Sequence, residues 1–250
     1  MGGDRRVRIL SLLTDGRAAG LETRRLCEVC REVTGMTGAG IMLMSGDMPR
    51  GPVCTTNGVS ALIEQLQYDL GEGPCVDAYK QDHAVLEPDL ANPDDPRWFA
   101  FAPPAVDAGV RAIFGFPLQV GAVRLGALNL YRDVAGALSD DQFADALVMA
   151  DVAAQALLVL QAEAPPGRIA TELEADANFQ YVVHQATGMV AAQLDVTVGQ
   201  ALIRLKAYAF GNGCVLTDVA HDVVARRLRL DDANSEHDPI ARHPDPENES

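Results

Sequence analysis

The two adjacent prolines of Ala164-Pro-Pro-Gly167 decide how this chain divides. Proline cannot donate to a helix ladder and clashes with the preceding turn, so the helical pattern before it must stop there. The 250 residues then suit one medium domain followed by one small one. With 48% hydrophobic residues the larger part can bury a proper core. The expected organisation is a helical extension over 1–20, an α+β domain over 21–163, a linker over 164–169, a three-helix module over 170–230 and an acidic, disordered tail over 231–250.

In the larger part, Leu26, Val29 and Val33 recur at helical spacing and Thr34-Gly35 ends the pattern. Ala39–Ser45 is a short apolar run bounded by glycine and reads as a buried strand, with Val53–Thr56 as its hairpin partner. Ser60–Tyr68 reads as a connecting helix, and Gly71-Glu-Gly-Pro-Cys75 as a turn. Arg111–Val120 and Leu125–Arg132 form an antiparallel pair reversed at Gly121–Arg124. Ser139 should cap a long helix with Asp140 and Asp141 in its first turn. That helix is apolar on more than one side, so it needs a second partner, either a subunit mate or simple burial. Beyond the prolines, Asp176–Leu194 carries a helical stripe, Thr197 with Gln200 opens a second helix, and Thr217 is the expected cap of a third.

The net charge of -15 argues against nucleic acid until it is resolved along the chain. Between Arg204 and Leu230 stand five basic residues against two acids, a local +3, whereas residues 231–250 hold seven acids against Arg242, a local -6. A small basic module sits between an acidic body and an acidic tail. The plainer reading is that Arg226, Arg227 and Arg229 decorate a helix C-terminus.

The order of several motifs adds a resemblance. Leu26-Cys-Glu-Val-Cys-Arg-Glu-Val33, Gly71-Glu-Gly-Pro-Cys75, a helix start at Arg97-Trp98-Phe99, Gly109–Leu118 and Leu125-Gly-Ala-Leu-Asn-Leu-Tyr131 together resemble a GAF domain of the actinobacterial type. Gln185-Ala-Thr-Gly-Met189, Ala201 with Leu205-Lys206 and Ala209, and Leu216-Thr-Asp-Val-Ala220 with Val223-Val224 are similar to an ANTAR domain. The resemblance implies an antiparallel-sheet sensor followed by an RNA-binding output, that is, a signal-responsive transcription antitermination regulator acting on stem-loop leader RNA.

The RNA contacts it implies are His184, Gln185, Thr187, Gly188, Arg204, Lys206 and Tyr208. Cations would meet phosphates, and polar groups and a stacking ring would read unpaired loop bases. Thr187 stands where the family commonly has Lys, which removes a charge and weakens the expected RNA binding. A homodimer through the 139–163 helix, and a small-molecule ligand or partner protein at the GAF-like domain, complete the expected partners. The alternative is a dimeric scaffold whose ANTAR-like helices bind protein; a third reading is a cysteine-based GAF-fold methionine sulfoxide reductase.

Other signals point to little chemistry. Five cysteines, an odd number, argue against a disulfide scaffold. Cys27 and Cys30 share a helix face, but no second pair follows at zinc spacing. Cys54 and Cys75 read as sensor-pocket or plain core residues. No metal, cofactor or catalytic residue is expected. No uninterrupted run of about 18 apolar residues occurs, so neither a membrane span nor a membrane partner is expected, and the charged start Met1–Arg6 is a poor secretory signal. A cytoplasmic protein is the expectation.

Overall fold

The computed structural model describes residues 2–14, 23–45, 48–163 and 178–230. The chain forms two compact units that meet in sequence between Gln180 and Tyr181. The proline linker and the acidic tail of the sequence reading lie outside the described residues.

The first unit is built on one antiparallel sheet. Its elements are α1 (Gly2–Thr14), α2 (Thr23–Thr34), β1 (Gly38–Ser45), β2 (Met48–Thr55), α3 (Gly58–Leu70), α4 (Pro74–Gln81), β3 (Val85–Glu87), α5 (Ala102–Asp107), β4 (Ala112–Val120), β5 (Val123–Arg132) and α6 (Asp140–Glu163). The strands lie in the order β2-β1-β5-β4-β3, and every neighbouring pair is antiparallel. Strand alternation then gives the sheet two unlike faces. Ile41, Phe114, Phe116, Leu118, Leu128 and Leu130 pack with Leu26 and Val29 of α2 and with Met149, Ala153 and Leu157 of α6. The intervening residues Ile113 and Tyr131 join a second cluster with Ile63 of α3, Ala78 of α4 and Phe101.

Several sequence expectations are corrected. β2 begins at Met48, well before Val53, and contains Pro49 and Pro52. Proline is excluded from central strands but not from an edge, which is where β2 lies. Arg97-Trp98-Phe99 does not start a helix: Trp98 has φ 57, and the helix begins at Ala102. The stretch after Gly73 is not only a turn, because Pro74 opens α4 with its fixed φ.

α6 starts where expected, with the Gln142 amide donating to Ser139 Oγ and the Ser139 amide to Gln142 Oε1. Its additional apolar surface is covered within the same chain, by α2 and α1. Arg5 and Arg8 of α1 reach Asp145 at 2.7 and 3.0 Å, Arg5 also meets Asp141, and Arg6 pairs with Asp151. Leu147 and Val159 stay exposed, at 46% and 58%. Residues 140–162 are long and apolar enough to cross a membrane by length and composition, although half of the most apolar stretch is buried in the fold.

The second unit contains all but the first residues of α7 (Asn178–Leu194), together with α8 (Val198–Gly211) and α9 (Leu216–Val224). Thr197 and Gln200 form the expected capping box. Gly213, at φ 63, follows the end of α8. The third cap differs from expectation: α9 starts at Leu216 with Val215 in the capping position, and Thr217 lies inside the helix. Val183, Ala186, Val190, Ala201, Leu205, Val219, Ala220 and Val223 are among the buried residues of the unit.

Candidate functional site

Asn129 is a buried polar residue on β5, between Leu128 and Leu130 of the apolar core. It stands on β5 directly between Gly40 of β1 and Gly115 of β4, so a polar side chain is flanked by two positions without one. Helical residues fill both gaps. A Cβ on Gly40 would come within 2.4 Å of Glu64 Oε1, and one on Gly115 within 2.4 Å of the Pro74 carbonyl oxygen. The two glycines therefore let α3 and the start of α4 settle onto the sheet.

Glu64 of α3 is fully buried and accepts a 3.1 Å hydrogen bond from Asn129 Nδ2. One turn on, the buried Gln67 accepts from the Cys75 amide at 2.8 Å, which satisfies one of the orphan donors at the start of α4. The remaining groups of these three side chains, Glu64 Oε2, Asn129 Oδ1 and Gln67 Nε2, are buried without a protein partner. Burial pushes the Glu64 carboxyl up to about 8, against the opposing effect of the Asn129 hydrogen bond. The acid is thus mainly protonated at neutral pH. Burial first, and the nearby Glu64 second, also raise the Cys75 thiol, which makes it a weak nucleophile.

The Gly71–Cys75 motif holds this arrangement. Gly71 closes α3 in the left-handed conformation, and Gly73 at φ 129 turns the chain into α4. Between them Glu72 accepts from the amides of Ala100 and Phe101 at 2.7 and 2.8 Å. Asp77 accepts from Trp98 Nε1 at 2.8 Å, so the 98–101 segment is held to α4 at one end and to the turn before it at the other. The motif shapes the wall of the cluster. The cluster holds a donor, an acceptor and a neutral acid, all buried and incompletely paired within the protein.

These side chains were not picked out of the sequence. Glu64 and Gln67 lie inside the expected Ser60–Tyr68 helix and Asn129 inside the expected Leu125–Arg132 strand, with nothing local to set them apart. The signal that could have found them is the pair of glycines in register with Asn129, which requires knowing the strand alignment.

This arrangement of sheet and helices is matched by sequence, since residues 23–158 fit the GAF domain family. The chain belongs to the GAF family. The match covers just over half of the chain and ends before the second unit. No curated protein matches the chain by sequence. Among solved structures, it is similar to the GAF domain of a phosphoenolpyruvate-protein phosphotransferase from Coxiella burnetii, with 12% identity over 65% of this chain and 98% of that one and a TM-score of 0.49. It is also similar to a domain of a two-component sensor histidine kinase protein from Sinorhizobium meliloti, with 18% identity over 59% and 96% and a TM-score of 0.46. A type II free methionine-R-sulfoxide reductase from Thermoplasma acidophilum gives 16% identity over 62% and 93% and a TM-score of 0.42. A GAF domain fits a signal-sensing role.

In the second unit the residues named for RNA contact separate into two groups. His184, Gln185, Gly188 and Arg204 are exposed, and Lys206 and Tyr208 are half-buried. Thr187 is buried, and its hydroxyl donates to the Val183 carbonyl at 2.6 Å within the same helix. Its position on the inner face does not offer that hydroxyl to a phosphate. The sequence reading also passed over Phe210, which is 66% exposed on α8, one turn beyond Lys206.

Cys27 and Cys30 are not a ligand pair: Cys27 is joined to Cys54 of β2, and Cys30 is a buried free thiol. Among the described residues no group of three or more His, Cys, Asp or Glu side chains is placed to hold a metal ion.

Proposed function

We propose that this chain is a signal-responsive regulator whose GAF domain senses a small polar ligand and whose C-terminal unit is an ANTAR-like output that binds stem-loop RNA in transcription antitermination. The observation that carries the output half is Phe210. A large exposed aromatic ring one turn from a lysine, on a helix that also bears Arg204, suits unpaired loop bases that stack while phosphates meet cations. His184 and Gln185 supply exposed polar groups on α7 for base edges. The sensing half rests on the unpaired polar atoms of Glu64, Gln67 and Asn129.

In this reading the protein works in the cytoplasm without catalysis, and the GAF domains of two copies meet along α6, where Leu147 and Val159 are exposed. The suppressed reactivity of Cys75 weighs against a cysteine-based reductase.

The test is a salt titration of binding between the full chain and a two-stem-loop RNA, for the wild type and for Arg204→Ala/Lys206→Ala. Binding that weakens steeply with salt, with a shallower slope in the variant, supports the RNA output. One observation favours a second reading. Val198, Ile203, Phe210 and Val215 are all exposed apolar residues on or beside α8, a surface that also suits a protein partner. RNA binding absent even at low salt would move the output to that reading.

A further inference from the structure

The Cys27–Cys54 bond ties the middle of α2 to the edge strand β2, 27 residues apart in sequence. Both cysteines are buried, Cys27 fully and Cys54 at 3% exposure, but Cys54 also forms part of the wall of an open cleft of about 440 Å³ at the start of α2. Thr23, Arg24, Thr55, Thr56 and Asn57 line it together with Val53, Gly58 and Ala61, so the cleft is of mixed polarity and carries a cation at its rim. The Arg24 side chain is three-quarters exposed and paired only with Glu28 of its own helix among the contacts described, at 3.1 Å.

We propose that Cys27–Cys54 is a reversible thiol–disulfide site, opened and closed in the folded protein by a small anionic thiol that enters the cleft and attacks Cys54. The thiolate attacks Cys54 Sγ, a mixed disulfide forms on Cys54, and the bond to Cys27 breaks. Cys27 leaves as a thiolate and takes up one proton. A second thiol then attacks the mixed disulfide, releasing Cys54 as a thiol and the small molecule as its own disulfide. Two thiols are oxidised and one protein disulfide is reduced, so electrons balance, and the reverse sequence closes the bond.

The fold accommodates both states. The Cys54 carbonyl oxygen lies 3.2 Å from Cys27 Sγ, placed to accept its S–H once the bond has opened. The neighbouring thiol, Cys30, is no competitor, because burial raises it far above its ordinary value. What the bond controls is the tie between β2 and a helix that packs directly on α6, the last element of the domain. This inference is independent of whether the second unit binds RNA.

The experiment equilibrates the full chain in reduced and oxidised glutathione at several ratios, quenches with acid, alkylates, and locates the modified cysteines by mass spectrometry. The expected result is that Cys27 and Cys54 convert together with one midpoint, while the chain stays folded by circular dichroism. Cys214, which is exposed, provides the internal reference for a free thiol. The opening rate should be first order in glutathione and unchanged by sub-denaturing urea. Arg24→Glu should slow opening by glutathione several-fold and speed opening by cationic cysteamine. Opening that occurs only as the chain unfolds would overturn the proposal, as would two cysteines that never join. Equal rates for both thiols with Arg24→Glu would remove the cleft as the route.

Discussion

The two faces of the GAF sheet use the same strands to opposite ends. Toward α2 and α6, β4 and β5 present Phe114, Phe116, Leu118, Leu128 and Leu130, and that side is a continuous apolar core. Toward α3 and α4 the alternate positions present Gly115, Asn129 and Tyr131, and a carboxyl group is buried above them. Tyr131 donates to Asn57 Oδ1 at 2.9 Å, so its ring is apolar filling with a satisfied tip. One face is optimised for packing; the other gives up packing energy to keep unpaired polar atoms out of water. The apolar core and the buried polar cluster thus lie on opposite faces of one sheet.

Substitutions can sharpen that contrast. The largest loss is expected on the dry face: Phe116→Ala removes a fully buried ring packed 5.7 Å from Phe143 and should cost about 3–5 kcal/mol in urea unfolding, with no change in how stability depends on pH. On the polar face Glu64→Gln should act in the opposite direction. A carboxyl raised to about 8 keeps its proton in the folded state while the unfolded chain loses it near 4.5, so wild-type stability falls as pH rises between those values and levels off above. The slope is at most about 1.4 kcal/mol per pH unit. The amide variant should lose it and be more stable by a few kcal/mol near pH 8, read as the difference between two urea series. If the two series run parallel, the acid is not buried in its neutral form.

Gly115→Ala should cost about 1–3 kcal/mol, because the added methyl meets the Pro74 backbone and not a movable side chain. Its signature is a shift of α4, seen as faster amide exchange at Cys75. The smallest effect belongs to the end of α6: Ser139→Ala removes a cap and should cost about 1 kcal/mol in thermal or urea unfolding.

The dry face was legible in the sequence and the polar face was not, for a physical reason. Burial of Leu128 and Leu130 is a property of each residue, readable one position at a time. The Glu64–Asn129 pair is a property of register, joining residues 65 apart whose individual types suggest solvent. The same holds for Cys27 and Cys54: the sequence set Cys27 beside Cys30 and Cys54 beside Cys75, and only the fold brings the bonded pair together. Helix ends fared according to their chemistry. Thr197 and Ser139 have their reciprocating glutamine and were found, while Thr217 resembles a cap but has none of that geometry. Thr187 was assigned to an outer surface from its place in a motif, yet the stripe Val183–Ala186–Val190 surrounds it on the inner face.

The edges of the sheet carry a consequence for assembly. An open edge recruits further strands through its unpaired amides, and β2 supplies few: Pro49 and Pro52 have no N–H, and the register slips twice along its length. At the opposite edge β3 has only three residues. Strand addition is disfavoured on both sides of this domain, by missing donors at one margin and by shortness at the other. Two copies brought together at high concentration have helical surfaces to offer each other and no sheet to extend, which makes fibre-like growth through this fold a poor competitor to a closed pair.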